Sequence, residues 1–399
     1  MSKASRFFRI LSIFMALVLV FSVCAAAATR TEPIDKKIQF NSDGKFKILQ
    51  ISDTQDILFP RSVMIQYIES LLDQVQPDLV IFTGDNTEDF SFITGTVRYA
   101  LNWILEPVNA RGIPFTFAFG NHDAFIPQLK DRTFQYYTAY ENCLAYDDNP
   151  AIFGTGNHNL FIYDKDGKNP AFNLWMIDSN AYDLQSFAYD YVHEDQVQWF
   201  KDKAAAIKAE YGNVPSFAFQ HITVPEVYEL LLPAEDGGTN TKDYNGKKYA
   251  QALDPTKAVG HLGEFPCPPV VNTGEFQAFV DDGNVVAFFA GHDHVNNFIG
   301  NVNGIDIVQT PGITFANYGE EGVRATRVIT LDESDLSTYT TTTLTYEDVL
   351  GGMENYEATY SLGSSLFGGV ISLLAMIAKL FGYSEFEVLD IITEFFVSL

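Results

Sequence analysis

The sequence predicts an α/β protein, and three observations carry that expectation. Between Phe46 and about Leu331, short runs rich in β-branched and aromatic residues alternate with helical runs, as stacked β-α units require. The short runs are nearly all apolar, which suits strands covered on both faces. The chain has 399 residues, 47% of them hydrophobic and 19% charged, so it can bury a sizeable core and is too apolar for a disordered polymer. It shows no repeat period, heptad run or collagen-like glycine spacing.

Taken in order, the strands are expected at Lys47 to Ile51, Asp78 to Phe82, Phe115 to Phe119, Phe172 to Ile177, Ser216 to Phe219, Val285 to Ala290 and Ile305 to Gln309. Between the first two, Met64, Tyr67, Ile68, Leu71, Leu72 and Val75 recur at helical spacing and make one apolar face. Val97, Leu101, Ile104, Leu105 and Val108 do the same before the third strand, and a further helix is expected at Glu194 to Glu210. Tyr136 to Lys168 and Leu231 to Pro269, rich in turn-forming residues, read as loop excursions of the kind that carry substrate contacts. The Thr-rich stretch Ser337 to Thr345 reads as a closing strand.

The two ends differ from this scaffold. Lys3, Arg6 and Arg9, an apolar stretch from Ile10 to Val20 and a run of small residues read as an export signal over 1–28, cleaved near Ala26 or Ala28. The chain is thus expected to be exported, to the periplasm, the cell surface or the medium. A main domain is expected over 40–331, a closing strand and connector over 332–360, and an apolar tail over 361–399. In that tail Leu362 to Tyr383 carries one charge, Lys379, but Gly363, Gly368, Gly369 and Gly382 dilute its hydrophobicity. It is read as a packed or interfacial helix, with a membrane anchor as the alternative.

Charge and cysteine usage exclude two classes. With 25 basic and 51 acidic residues the net charge is −26, and such a chain repels duplex nucleic acid instead of releasing its counterions. After loss of Cys24 with the leader, only Cys143 and Cys267 remain, which rules out a Cys-rich zinc module and allows at most one internal disulfide.

Four apolar runs end abruptly in metal-ligating residue types: Ile48 to Gln55 with Asp53, Leu79 to Asn86 with Asp85, Phe117 to Asp123 with Asn121 and His122, and Phe288 to His294 with His292 and His294. A fifth, Phe217 to His221, ends in a lone histidine. Carboxylates and imidazoles buried at strand ends are costly unless something pairs with them, and a dication is an economical partner. Residues i and i+2 of an extended chain point the same way, so Asp53 with Gln55, and His292 with His294, can each aim two donors at one place. Any one of these alone would read as a strand-end cap or turn residue. His158, His193 and His261 fall outside these segments and are read as surface or loop residues.

These segments resemble the calcineurin-like metallophosphoesterases, whose blocks D-x-H, G-D-x-x, G-N-H-[DE], a lone His and G-H-x-H occur in that order. Here the matching residues are Asp53, Gly84-Asp85, Gly120-Asn121-His122-Asp123, His221 and Gly291-His292-Asp293-His294, spanning about Phe46 to Arg327. The resemblance is nearest to the small phosphatases related to the purple acid phosphatases, through Phe82-Thr-Gly-Asp-Asn, Val271-Asn-Thr-Gly-Glu-Phe and Gly291-His-Asp-His-Val-Asn. It implies a four-layer α/β/β/α sandwich with mixed sheets and a centre of two divalent ions. Asp85 would bridge both ions; Asp53, His294 and residue 55 would hold the first, and Asn121, His221 and His292 the second. His122 would protonate the leaving group or contact phosphate. Asp123 and Asp293 would orient imidazoles from behind. The implied activity is hydrolysis of a phosphorylated small molecule or phosphoprotein by a hydroxide held between the ions.

Gln55 departs from the family's usual His. An amide oxygen is a harder donor than imidazole, so the ions implied are Mn²⁺ or Mg²⁺ ahead of Fe or Zn²⁺. D-x-Q also resembles members that cleave diphosphates, and a catalytically inactive binding module on the same fold is the competing expectation. Glu88 stands where purple acid phosphatases carry their colour-giving Tyr, so a colourless protein is expected.

Overall fold

The apolar runs become the inner strands of two mixed sheets, and the alternation of their side chains decides what each face covers. In this computed structural model, residues 29–56, 62–87, 97–124, 127–183, 188–234, 240–315 and 317–351 are described. The expected leader, Glu88 and the tail over 361–399 lie outside the described residues.

One sheet runs Thr340–Thr345, Ala325–Asp332, Lys45–Ile51, Leu79–Thr83, Phe115–Ala118 from edge to edge. Its last three strands are parallel. The other runs Ile38–Gln39, His158–Tyr163, Pro170–Met176, Ser216–Phe219, Val285–Ala290, Ile305–Gln309, Asn296–Val302, Ala258–Leu262, and is parallel from Pro170–Met176 through Ile305–Gln309.

Because successive strand residues face opposite ways, each inner strand feeds two cores. Ile48, Leu79 and Ile81 of the first sheet pack against Leu174, Phe217, Phe219 and Phe289 of the second, closing the space between the sheets. The alternate residues Leu49, Ile51, Val80 and Phe82 face outward onto Met64, Tyr67, Ile68 and Leu71 of the helix Ser62–Val75 and onto Leu101 and Leu105 of the helix Val97–Ala110. On the far side Trp175, Ala218, Phe288 and Ala290 meet Val197, Phe200 and Ala204 of the helix Glu194–Tyr211 and Phe276 and Phe279 of the helix Glu275–Asp282. The layers are therefore helix, sheet, sheet, helix.

Both excursions carry more regular structure than the sequence suggested. Tyr136 to Lys168 supplies the strand His158–Tyr163 to the larger sheet, and Leu231 to Pro269 supplies its edge strand Ala258–Leu262 and a separate three-stranded sheet. Turn-rich composition hid these strands, since His158-Asn159 and Gly260 interrupt the apolar signal. His158 is likewise no loop residue: it is fully buried, its Nδ1 2.7 Å from the Gly156 carbonyl and its Nε2 2.8 Å from Thr116 Oγ1. His193 is stacked between Phe153 and Tyr191, and exposed His261 lies 3.0 Å from Glu320. Cys143 and Cys267 are both free.

Parallel strands run in one direction, so their carboxyl ends share an edge. Asp53, Asp85 and Asn121 follow three parallel strands of one sheet, while His221 and His292 follow two parallel strands of the other. The packing of the two sheets brings these edges together.

Candidate metal centre

The strand ends turn sharply at the site, and the backbone is strained there. Asp53, Gln55, Asp85 and His292 have φ of 52°, 37°, 49° and 74°, the left-handed region that side chains with a Cβ avoid. Each such residue costs on the order of 1 kcal/mol or more, and held strain of this kind clusters at functional sites. Two glycines permit the approach. A Cβ on Gly120 would lie 2.1 Å from Asp85 Oδ1, and one on Gly291 would lie 1.8 Å from Ser52 Oγ.

Asp85, His221 and His292 are buried and offer ligand atoms that all lie within 4.8 Å of one another. His221 Nε2 is 3.1 Å from Asp85 Oδ2, 3.1 Å from Asn121 Oδ1 and 3.9 Å from Asp53 Oδ1. His294 Nε2 is 3.4 Å from the same Asp53 oxygen. Six of the side chains singled out by sequence thus form one cluster: Asp53, Asp85, Asn121, His221, His292 and His294. Two of the imidazoles are fixed from behind by backbone carbonyls, His221 Nδ1 by Thr83 and His294 Nδ1 by Tyr318, each at 2.8 Å. That leaves Nε2 of each ring to face the cluster, as ligating histidines require.

His122 donates its backbone N–H to Asp85 Oδ1 at 2.8 Å and is only partly buried. Gln55 donates its backbone N–H to the Asp85 carbonyl at 2.9 Å; its side chain is buried and neither amide atom has a hydrogen-bond partner among the described residues. Asp53 Oδ1 is also buried without a hydrogen bond, while Oδ2 accepts from Ser52 Oγ and from the His292 N–H. Buried carboxylate, amide and imidazole groups gathered at one place, with the Gln55 amide and Asp53 Oδ1 lacking a hydrogen bond among the described residues, are the donor types that hard or borderline divalent ions take, so these residues fit such ions.

Asp123 and Asp293 act differently from the sequence expectation. Asp123 accepts the backbone N–H groups of Gly120, Asn86 and Thr87, tying two ligand loops together, and Asp293 accepts from Cys267 N–H and Asn296 Nδ2. His221 and His294 take main-chain carbonyls behind their rings instead, and no hydrogen bond from Asp123 or Asp293 to either of these two rings is present among the described residues. Sequence reading passed over Tyr182, Tyr189 and Tyr318, whose rings lie against His122, His292 and His294. No motif spacing marks them.

Burial and carboxylate–imidazole pairing set the electrostatics of the pocket. Burial works against the ionised form of Asp85, but the charge and hydrogen bond of His221, together with the His122 and His292 charges, outweigh it and hold the carboxyl well below its usual range. Burial works against His221 too, yet the Asp85 and Asp53 carboxylates push it up to about 10. Burial and the His221 charge together bring His292 down to about 3. Burial lifts Asp123 to about 7 and Asp293 to about 8. The Asp53 and Asp85 carboxylates also raise His294 against its burial, so His221 and His294 are the imidazoles whose charged forms these two carboxylates favour.

Residues 46–296 match the calcineurin-like phosphoesterase family, and the chain belongs to it. The chain is 29% identical over 324 residues to probable inactive purple acid phosphatase 14 of Arabidopsis thaliana, spanning 74% of this chain and 77% of that protein. It is 25% identical over 294 residues to phosphatase DCR2 of Saccharomyces cerevisiae, spanning 67% of this chain and 48% of that one. Among solved structures, a dimetal phosphatase from Danio rerio aligns with 14% identity and a TM-score of 0.42, covering 75% of this chain and 99% of that one.

Proposed function

We propose that the chain is an exported metal-dependent phosphoesterase that hydrolyses phosphate esters at a centre of two divalent ions. The observation that carries this is the cluster of six donors at the strand ends, with Asp53 Oδ1 buried inside it and 3.4 Å from His294 Nε2. Asp85 would serve both ions; Asp53, His294 and Gln55 would hold one, and Asn121, His221 and His292 the other. Bound there, the ions supply positive charge that polarises phosphoryl oxygens and lowers the pKa of a water. His122, partly buried beside Asp85, donates a proton to the departing oxygen. No nucleophilic Ser or Cys is required. The substrate is a phosphorylated small molecule or phosphoprotein, and the leader over 1–28 carries the chain out of the cytoplasm, with the tail a candidate for membrane contact.

A second reading, a metal-binding module without turnover, is favoured by Gln55 and by the word "inactive" in the name of the Arabidopsis relative. Metal analysis together with hydrolysis of aryl phosphate mono- and diesters separates the two. Two ions per chain with turnover supports the enzyme, bound metal without turnover supports the module, and a chain that takes no metal overturns both.

A further inference from the structure

We propose that Tyr182 is a positioning residue for one ion of the centre, holding the Asn121 amide with its oxygen turned to the metal; this rests on the metal-centre reading above. An Asn amide has an accepting and a donating end of nearly the same shape, and a cation takes only the oxygen. Something outside the centre must therefore decide which way the group points. Here Asn121 Nδ2 donates to the Tyr182 hydroxyl at 2.7 Å, while Asn121 Oδ1 faces His221 Nε2 at 3.1 Å.

Tyr182 is itself held in place. Tyr182–Asp183 and Ala188–Tyr189 form a short antiparallel ladder in which Tyr182 opposes Tyr189, and the two rings stack with centroids 5.6 Å apart. Tyr189 meets the His292 ring perpendicularly at 4.5 Å. This second contact matters because the ring nitrogens of His292, unlike those of His221 and His294, make no hydrogen bond among the described residues. One ladder thus orients two of the donors assigned to the same ion, Asn121 by a hydrogen bond and His292 by ring packing. Asp53 and His294, two of the donors of the other ion, take their partners elsewhere, from Ser52, the His292 N–H and the Tyr318 carbonyl.

The test is a calorimetric titration of the metal-stripped chain with Mn²⁺ alone. Wild type taking up no Mn²⁺ would overturn the metal-centre reading, and this inference with it. Tyr182→Phe keeps the ring and its stack but removes the acceptor. It should weaken one of two ions by about 10-fold and leave the other within about twofold, the size expected for loss of an outer-shell partner. Asn121→Asp presents an oxygen whichever way the group turns, so adding Tyr182→Phe to it should change affinity by less than about twofold. Unchanged binding in Tyr182→Phe overturns the inference. So does an equal loss in both backgrounds, which would assign the effect to packing of the ladder.

Discussion

Asp85 and His221 meet between the two sheets, Asp85 Oδ2 lying 3.1 Å from His221 Nε2 with both side chains buried. Asp85 follows a strand of the five-stranded sheet and His221 one of the eight-stranded sheet, so this pair exists only when the sandwich is assembled. Asp85 also accepts the His122 N–H through its other oxygen, at 2.8 Å. Asp85→Asn preserves the shape and removes the charge. Outer-shell changes alone cost ~10–100-fold in metal affinity, so loss of the shared carboxylate should cost at least about 100-fold in activity and lower metal content more than any other single change. Wild-type turnover with two bound ions in Asp85→Asn would refute the assignment.

Gly120→Ala should damage both stability and the site. The added Cβ would stand 2.1 Å from Asp85 Oδ1 and 2.2 Å from the Asp85 backbone nitrogen, and the backbone cannot swing aside as a flexible side chain could. Overpacking of this kind costs ~1–3 kcal/mol or more. Urea unfolding should show a loss of at least that size, with weaker Mn²⁺ uptake. Native stability and full metal content would mean that the loop carrying Asp85 yields freely.

His158 makes part of the stability pH-dependent. Burial, partly offset by the Gly156 carbonyl, lowers it from 6.5 to about 4. A depressed histidine favours the fold while it is neutral, so its contribution is complete above about 6.5 and is lost as pH falls toward about 4, where the native state also takes the proton. The slope is ~1.4 kcal/mol per pH unit within that window. His158→Asn should be less stable at neutral pH and show a shallower acid decline than wild type. Parallel stability curves across pH 6.5 to 4 would show that His158 does not supply the slope.

How much was legible follows from which signals are local. The strand Ser216–Phe219 and the strands Val285–Ala290 and Ile305–Gln309 lie where their apolar runs predict, because a strand buried on both faces is apolar at every position. The strand His158–Tyr163 was hidden, since Asn159 is satisfied by Asn173 and Tyr146 of other segments and its burial cannot be read locally. Site residues sit within a few positions of a strand end and share motif spacing. The residues that orient them do not: Tyr182 reaches Asn121 across 61 positions, and Thr83 reaches His221 across 138.

Gln55 gives the prediction most specific to this chain. Its side chain is buried, both amide atoms lack a hydrogen bond among the described residues, and its φ of 37° holds it in a strained turn two residues after Asp53. A buried amide left unbonded costs about 1–3 kcal/mol, a penalty that coordination of a metal through the oxygen would remove. The ion it serves then has a weaker donor than an imidazole would supply and should be the looser of the two. Gln55→His replaces the amide oxygen with a borderline nitrogen that Zn²⁺ and iron favour over Mn²⁺. Titration of metal-stripped protein should therefore show tighter binding of one ion and a preference moved from Mn²⁺ toward Zn²⁺ or Fe²⁺, whether or not turnover rises. Identical affinities and an identical order of preference in the two proteins would place residue 55 outside the coordination sphere.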